Sequence, residues 1–220
     1  MLGEFWPVIP LIGTVTLLIR AELGGKMRQA GVFKVISSAL MWLVALLAIP
    51  NPTVNRTYLF GITIGLTFSF VGDVLLIASS NRAFLAGLVS FLLAHVAYLI
   101  TLTLHGGWGW ADLILLALLT VPAVKMYCTF QPGLGAMRGP VLVYIAVISL
   151  MVQRALSTLF VPRFDHAAAW LVGIGAVLFY VSDAILAYSR FVKRLPYHSF
   201  SLAFYYAGQT LIGASTHLMH

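Results

Sequence analysis

The chain has 220 residues, of which 61% are hydrophobic and 9% charged, and its mean hydropathy is +0.99. Globular domains carry roughly 25% charged residues, so this composition excludes a water-soluble fold and identifies an integral membrane protein. The net charge of +7 sits in short segments between apolar runs, where it orients helices and meets anionic lipid instead of nucleic acid. A single cysteine, Cys128, excludes an internal disulfide framework and any multi-cysteine metal site.

A helix needs roughly 17–25 apolar residues to cross a bilayer. About eight such stretches follow in order, at 5–20, 32–50, 57–79, 83–104, 110–128, 139–161, 167–190 and 198–217. The first has no charged leader or small-residue cleavage site and reads as a retained span. Asn51-Pro52 ends the second. Ser79, Ser80, Asn81 and Arg82 turn the chain after the third, and His105-Gly106-Gly107 ends the fourth. Gln131-Pro132-Gly133 separates the fifth from the sixth, and Leu195-Pro196 precedes the eighth. The pattern predicts an all-α, polytopic bundle of about eight transmembrane helices, residues 1–220 forming one domain. Its loops are too short for a soluble domain, so any chemistry belongs inside the bundle or at its mouth.

The odd-numbered loops hold Arg20, Lys26, Arg28, Lys34, Arg82, Lys125, Arg138, Arg190, Lys193 and Arg194, whereas the even-numbered loops hold only Arg56 and Arg163. This bias predicts odd loops in the cytoplasm and both termini outside. The membrane expected is a bacterial inner membrane, or the endoplasmic reticulum in a eukaryotic host. Oligomeric state is not encoded in any pattern of the sequence.

Inside the third span, FSFVGDVLLI carries Asp73, and inside the seventh, FYVSDAILA carries Asp183. An aspartate at mid-membrane costs ~2.5–3.5 kcal/mol on insertion scales and is too short to reach the interface. The two are 110 positions apart, in the related contexts F-x-F-V-G-D-x-x-L and L-x-Y-V-S-D-x-x-L. A weak parallel repeat of two four-helix halves places them equivalently, each ~9 Å from the cytoplasmic end of its helix. Two carboxylates in one poorly hydrated cavity do not readily both ionise, so one holds a proton while the other stays basic. Such an acid–base pair suits hydrolysis, or proton transfer in a lipid carrier.

Other polar residues are ambiguous taken singly. Lys34 starts the second span, as either a positive-inside anchor or a phosphate ligand. Arg154, in SLMVQRALS, lies nearer the outer end, where it either snorkels or binds phosphate. His95 shares a helix face with Phe91, Tyr98 and Leu99. Tyr205, Tyr206 and Gln209 form a polar stripe on the eighth span, and Tyr144 lies on the sixth. A zinc amidase or phospholipase needs about three converging His or carboxylate ligands. The candidates are His95, Asp73, Asp183, His217 and His220, the last two expected at the opposite face, and no H-E-x-x-H motif is present.

The stretches FSFVGDVLLI, FLAGLVSFLLAHVAYLI, VLVYIAVISLMVQRALS, VLFYVSDAILAYSRF and LPYHSFSLAFYYAGQTLI, in this order over about residues 30–215, resemble the YhhN-like family of membrane lysoplasmalogenases. The first span carries little of the resemblance. It implies hydrolysis of the vinyl ether bond of a lysoplasmalogen to a fatty aldehyde and glycerophosphocholine or glycerophosphoethanolamine. By the same resemblance Asp73 and Asp183 are catalytic, while Lys34, His95, Tyr98, Tyr144, Arg154, Tyr206 and Gln209 bind the lysophospholipid substrate. No metal or organic cofactor is implied.

Overall fold

The computed structural model describes residues 5–78, 80–196 and 198–220. Ser79, expected in the turn after the third span, and Tyr197, within LPYHSF, lie outside the described residues. Regular structure among those residues is entirely helical: α1 (Val8–Leu23), α2 (Met27–Leu46), α3 (Arg56–Leu75), α4 (Asn81–Gly106), α5 (Trp110–Phe130), α6 (Arg138–Ser157), α7 (His166–Phe191) and α8 (Ser201–Ala214). Six helical stretches, from α2 to α7, are long and apolar enough to cross a bilayer. The 14-residue α8 is extended at both ends by 3₁₀ turns, His198–Phe200 and Ser215–His217. The protein is an all-α polytopic membrane protein. Outward-facing Ile9, Phe60, Leu104, Leu113 and Leu118 are exposed, as lipid-facing side chains are.

Two helices depart from the predicted spans, and both departures move candidate residues. After the Gly24-Gly25 turn α2 starts at Met27, not at residue 32, so Lys34 stands well inside the helix. In contrast, α3 stops at Leu75 and the chain turns through Leu76 and Ile77, so Asp73 lies in the last turn instead of ~9 Å deep. Its counterpart α7 continues to Phe191, well past Asp183.

The packing order makes a ring. α2 packs on α3, α3 on α4, α4 on α6, α6 on α7, α7 on α8, and α8 back on α2. α1 lies outside against α2 and α8, and α5 lies outside against α6 and α7. Exchanging each helix of the first four for its equivalent in the second four leaves this ring unchanged. Local features repeat with the same spacing of 110. Asn55 caps α3 by accepting from the Tyr58 amide, and Asp165 caps α7 by accepting from the Ala168 amide. Gly65 lies against the Tyr98 ring, and Gly175 lies against the Gly208 backbone. A Cβ at Gly175 would stand 2.6 Å from the Gly208 carbonyl oxygen, so α7 and α8 meet at a distance only glycine allows.

The outer helix α5 buries little, and a polar clamp at its first turn ties it to α6. Asp112 accepts from the Gly109 amide (2.7 Å) and from Gln153 Nε2 (2.6 Å), and its carboxylate pairs with Arg154. The Arg154 guanidinium also donates to the Gly107 carbonyl and stacks 4.4 Å over the Trp108 ring. Arg154 is 1% exposed. It does not snorkel: carboxylate, carbonyl and indole surround its guanidinium where it stands.

Gly175→Val should lower the melting temperature of the protein in detergent, at a cost of about 1–3 kcal/mol. Gly139→Val, where a Cβ meets nothing within 4 Å, should leave it nearly unchanged. Arg154→Met should cost about 3–5 kcal/mol by stranding the Asp112 charge. Adding Asp112→Leu should restore much of that loss, a coupling that a double-mutant cycle of unfolding measurements reads directly.

Candidate functional site

The site lies inside the ring, at the end where α1, α3 and α7 finish and α2, α4 and α8 begin. Asp73 and Asp183 line one cavity of about 270 Å³ there, together with Lys34 and Arg190. The cavity continues into a narrow apolar slot between α4, α5, α6 and α7, walled by Leu88, Phe130, Ile145, Ile148 and Tyr144. Asp183 lines both spaces, and among the described residues it is the one charged side chain to do so.

Asp73 is 2% exposed and well supplied with donors. Its Oδ2 accepts from Ser38 Oγ (2.6 Å) and from the Tyr205 hydroxyl (2.6 Å). Ser38 has one proton and two acceptors in reach, Asp73 and the Lys34 carbonyl (2.9 Å). The Tyr206 hydroxyl stands 3.2 Å from that same carbonyl and 3.1 Å from Ser38 Oγ. With Tyr206 donating to the carbonyl, the serine proton is left for Asp73. The glycine before Asp73 has a packing cause: a Cβ at Gly72 would stand 2.7 Å from the Phe91 ring, which lines the cavity.

Asp183 is held differently. Its side chain is 16% exposed, and its Oδ2 accepts from the Tyr144 hydroxyl. His95 Nε2 lies 4.0 Å from the same oxygen. The other ring nitrogen of His95, Nδ1, is 2.6 Å from the Phe91 carbonyl, which only accepts, so Nδ1 carries the proton. In the neutral ring Nε2 is therefore a bare acceptor. It is buried, has no hydrogen-bond partner, and faces Asp183. The Tyr144 and Phe179 rings fix the imidazole, with centroids 5.2 and 4.6 Å away.

The two aspartates thus occupy matching places with unlike neighbours. Tyr205 beside Asp73 corresponds, 110 positions earlier, to His95 beside Asp183. Lys34, which lines the cavity with Asp73, corresponds, 110 positions on, to Tyr144.

The remaining candidates fall into two groups. Tyr98 donates to Gln209 Oε1 (2.7 Å), and Gln209 Nε2 donates to Ser69 (2.8 Å), a sealed network joining α3, α4 and α8. Tyr98 and Gln209 are fully buried and line neither the cavity nor the slot, and Tyr206 stands behind Asp73. Arg154 is with Asp112 in the clamp at the other end of α6. The sequence reading did not single out Ser38, Glu22, Arg190 or His198, which reach the site or line it. Ser38 was accessible from spacing, since it is one turn after Lys34 on the same face. The others come from helix ends whose meeting depends on the ring. Among the described residues no three His, Cys, Asp or Glu side chains group as metal ligands.

Comparison with known proteins places the chain in a family. The model of the YhhN family matches residues 29–216, which contain both aspartates. Lysoplasmalogenase TMEM86A of Bos taurus is 32% identical over 174 residues, covering 75% of this chain and 66% of that protein. TMEM86A of Homo sapiens is 31% identical with the same shares covered, and the human lysoplasmalogenase TMEM86B is 31% identical over 68% of this chain and 60% of its own length. The chain spans at most about two thirds of these relatives. No solved structure matches it. On the family match, which extends over most of its length, the chain belongs to the YhhN family.

Proposed function

We propose that the protein is a lysoplasmalogenase, hydrolysing the vinyl ether bond of a lysophospholipid with Asp183 as proton donor and Asp73 as the ionised partner. We read the chain as one domain of two parallel four-helix halves, each contributing one aspartate. The basic loops at the cavity end place it toward the cytoplasm. The observation that carries this reading is the position of Asp183 where a polar cavity passes into an apolar slot. A vinyl ether occupies the same place in its lipid, between a glycerophospho head and a hydrocarbon chain. The names of the TMEM86 relatives point to the same reaction.

Magnitudes assign the roles. Hydrogen bonds to a charged group contribute about 1.5–3 kcal/mol each. Two of them on Asp73 offset the ~2.5–3.5 kcal/mol of holding a carboxylate in an apolar bundle. Asp183 has one such donor, and beside it the bare His95 Nε2 offers an acceptor for a carboxylic acid proton. These neighbours favour Asp183 as the partner that starts the reaction protonated.

Each step then balances. Asp183 gives its proton to the alkene carbon two positions from the ether oxygen, leaving an oxocarbenium ion that the Asp73 carboxylate stabilises. Water attacks the cationic carbon while Asp73 takes one of its protons, forming a hemiacetal. On collapse the ether oxygen leaves with the proton from Asp73, and the hemiacetal hydroxyl returns its proton to Asp183. The products are a fatty aldehyde and the glycerophospho alcohol, and both carboxyls are reset. Lys34 and Arg190 receive the phosphate, and the slot receives the chain.

Asp73→Asn and Asp183→Asn should each lower aldehyde release from a lysoplasmalogen by about 10²–10⁴-fold, the usual worth of an acid or base. The saturated ether analogue should give no aldehyde with any variant. Undiminished turnover in either folded variant sinks the assignment. Tyr205→Phe should lower kcat by about ten- to a hundredfold, through loss of one charge-assisted hydrogen bond to Asp73.

A further inference from the structure

The mechanism leaves one charged side chain of the cavity without a task. Glu22, in the last turn of α1, lines the aspartate cavity alongside Lys34 and Arg190. With His198 and Ser199 it also lines a second, polar cavity of about 300 Å³ further out. Among the described residues the ion pair of an acidic with an arginine or lysine side chain is Asp112 with Arg154, and it includes neither Glu22 nor Lys34. The shared walls give the three spaces an order. The apolar slot meets the central cavity at Asp183, and the central cavity meets the outer one at Glu22.

We propose that Glu22 selects the head group, its carboxylate holding the ammonium of a zwitterionic lysophospholipid whose phosphate lies on Lys34 and Arg190. The proposal rests on reading the cavity as a lysophospholipid site. The order of chemistry along the walls is then the order along the molecule: chain in the slot, reacting bond at Asp183, phosphate among the cations, ammonium at Glu22. A carboxylate that shares its cavity with two aspartates and forms no ion pair with Lys34 or Arg190 is available to a ligand cation. Arg190 is preset for its part, stacked 4.7 Å over Phe84 and donating to Asn81 Oδ1 (2.9 Å). Glu22 precedes residues 29–216, so membership of the family does not assign it. The rival arrangement puts the phosphate outward, on Arg194 in the outer cavity, and makes Glu22 a repulsive neighbour.

Binding of uncleavable saturated 1-alkyl lysolipids to the purified full chain in detergent separates the two. One ligand carries phosphoethanolamine and the other a bare phosphate. The wild-type protein should bind the phosphoethanolamine lipid at least about tenfold more tightly. Glu22→Gln should bring the two within roughly twofold, chiefly by weakening the amine-bearing ligand, and Glu22→Asp should recover part of the preference. A wild-type protein that binds the bare phosphate lipid equally well or better, or a Glu22→Gln variant that keeps the preference, overturns the proposal. The wild-type comparison decides even where a variant does not fold. The ligands have no vinyl ether, so loss of the hydrolase reading in the aldehyde assay leaves this result separate and intact.

Discussion

A carboxylate at the end of an apolar bundle has to be met by donors, and much of the arrangement around Asp73 follows from that demand. Ser38 from α2 and Tyr205 from α8 converge on one oxygen of a residue from α3. They can do so only because α2 lies between α3 and α8 in the ring. Tyr206 then serves the carbonyl that would otherwise claim the serine proton. Deeper in, the Tyr98–Gln209–Ser69 network ties α3, α4 and α8 together by hydrogen bonds, keeping the Asp73 partners in register. Residues proposed from the sequence as substrate contacts thus act on the carboxylate at one remove.

On the proposed reading of two four-helix halves, their likeness accounts for two aspartates, and their unlike neighbours suit the two to different roles. The ring, the capping residues and the close glycines recur at a spacing of 110. The residues around the carboxyls do not. Where Asp73 meets a tyrosine hydroxyl that donates, Asp183 faces a histidine nitrogen that accepts. Where Asp73 has a lysine near it, Asp183 has a tyrosine. Two identical surroundings would make the carboxyls interchangeable. Unlike ones let one keep a proton while the other remains an anion, the condition acid–base catalysis requires.

The sequence was most legible where one side chain's energy dominates. Apolar runs gave the helices, and the cost of an aspartate in hydrocarbon singled out Asp73 and Asp183. It was least legible where a position depends on helix ends. Whether α2 starts at Met27 or at residue 32 is decided by a tight glycine turn that hydropathy does not register, and with it the place of Lys34. Arg154 shows a second limit. Its burial depends on Asp112, 42 residues earlier, at the start of the fifth apolar stretch. A lone arginine near a helix end reads equally as anchor, ligand or half of an ion pair until its partner is known. Glu22 is a third case, since its relevance comes only from the seating of α1 against α2 and α8.

These limits bear on how the site relates to the bilayer. A soluble hydrolase must draw a lysolipid out of its aggregate and bury both ends. Here the chain slot is walled partly by α5, an outer helix that buries little against the ring, so the slot lies near the lipid-facing surface. The polar cavity lies at the end of the bundle that carries the basic loops, beside the head-group layer. On the proposed function, a lysolipid resting in the adjoining leaflet already has its chain in hydrocarbon and its phosphate at the interface, so entering the site does not require either end to change solvent. In the same reading the protein adds shielding at the junction of the two spaces, where Asp183 stands. A carboxylic acid that protonates an alkene must be kept from giving its proton to bulk water first. The Phe84 and Phe91 rings that line both spaces beside Asp183 supply that shielding on the cavity side.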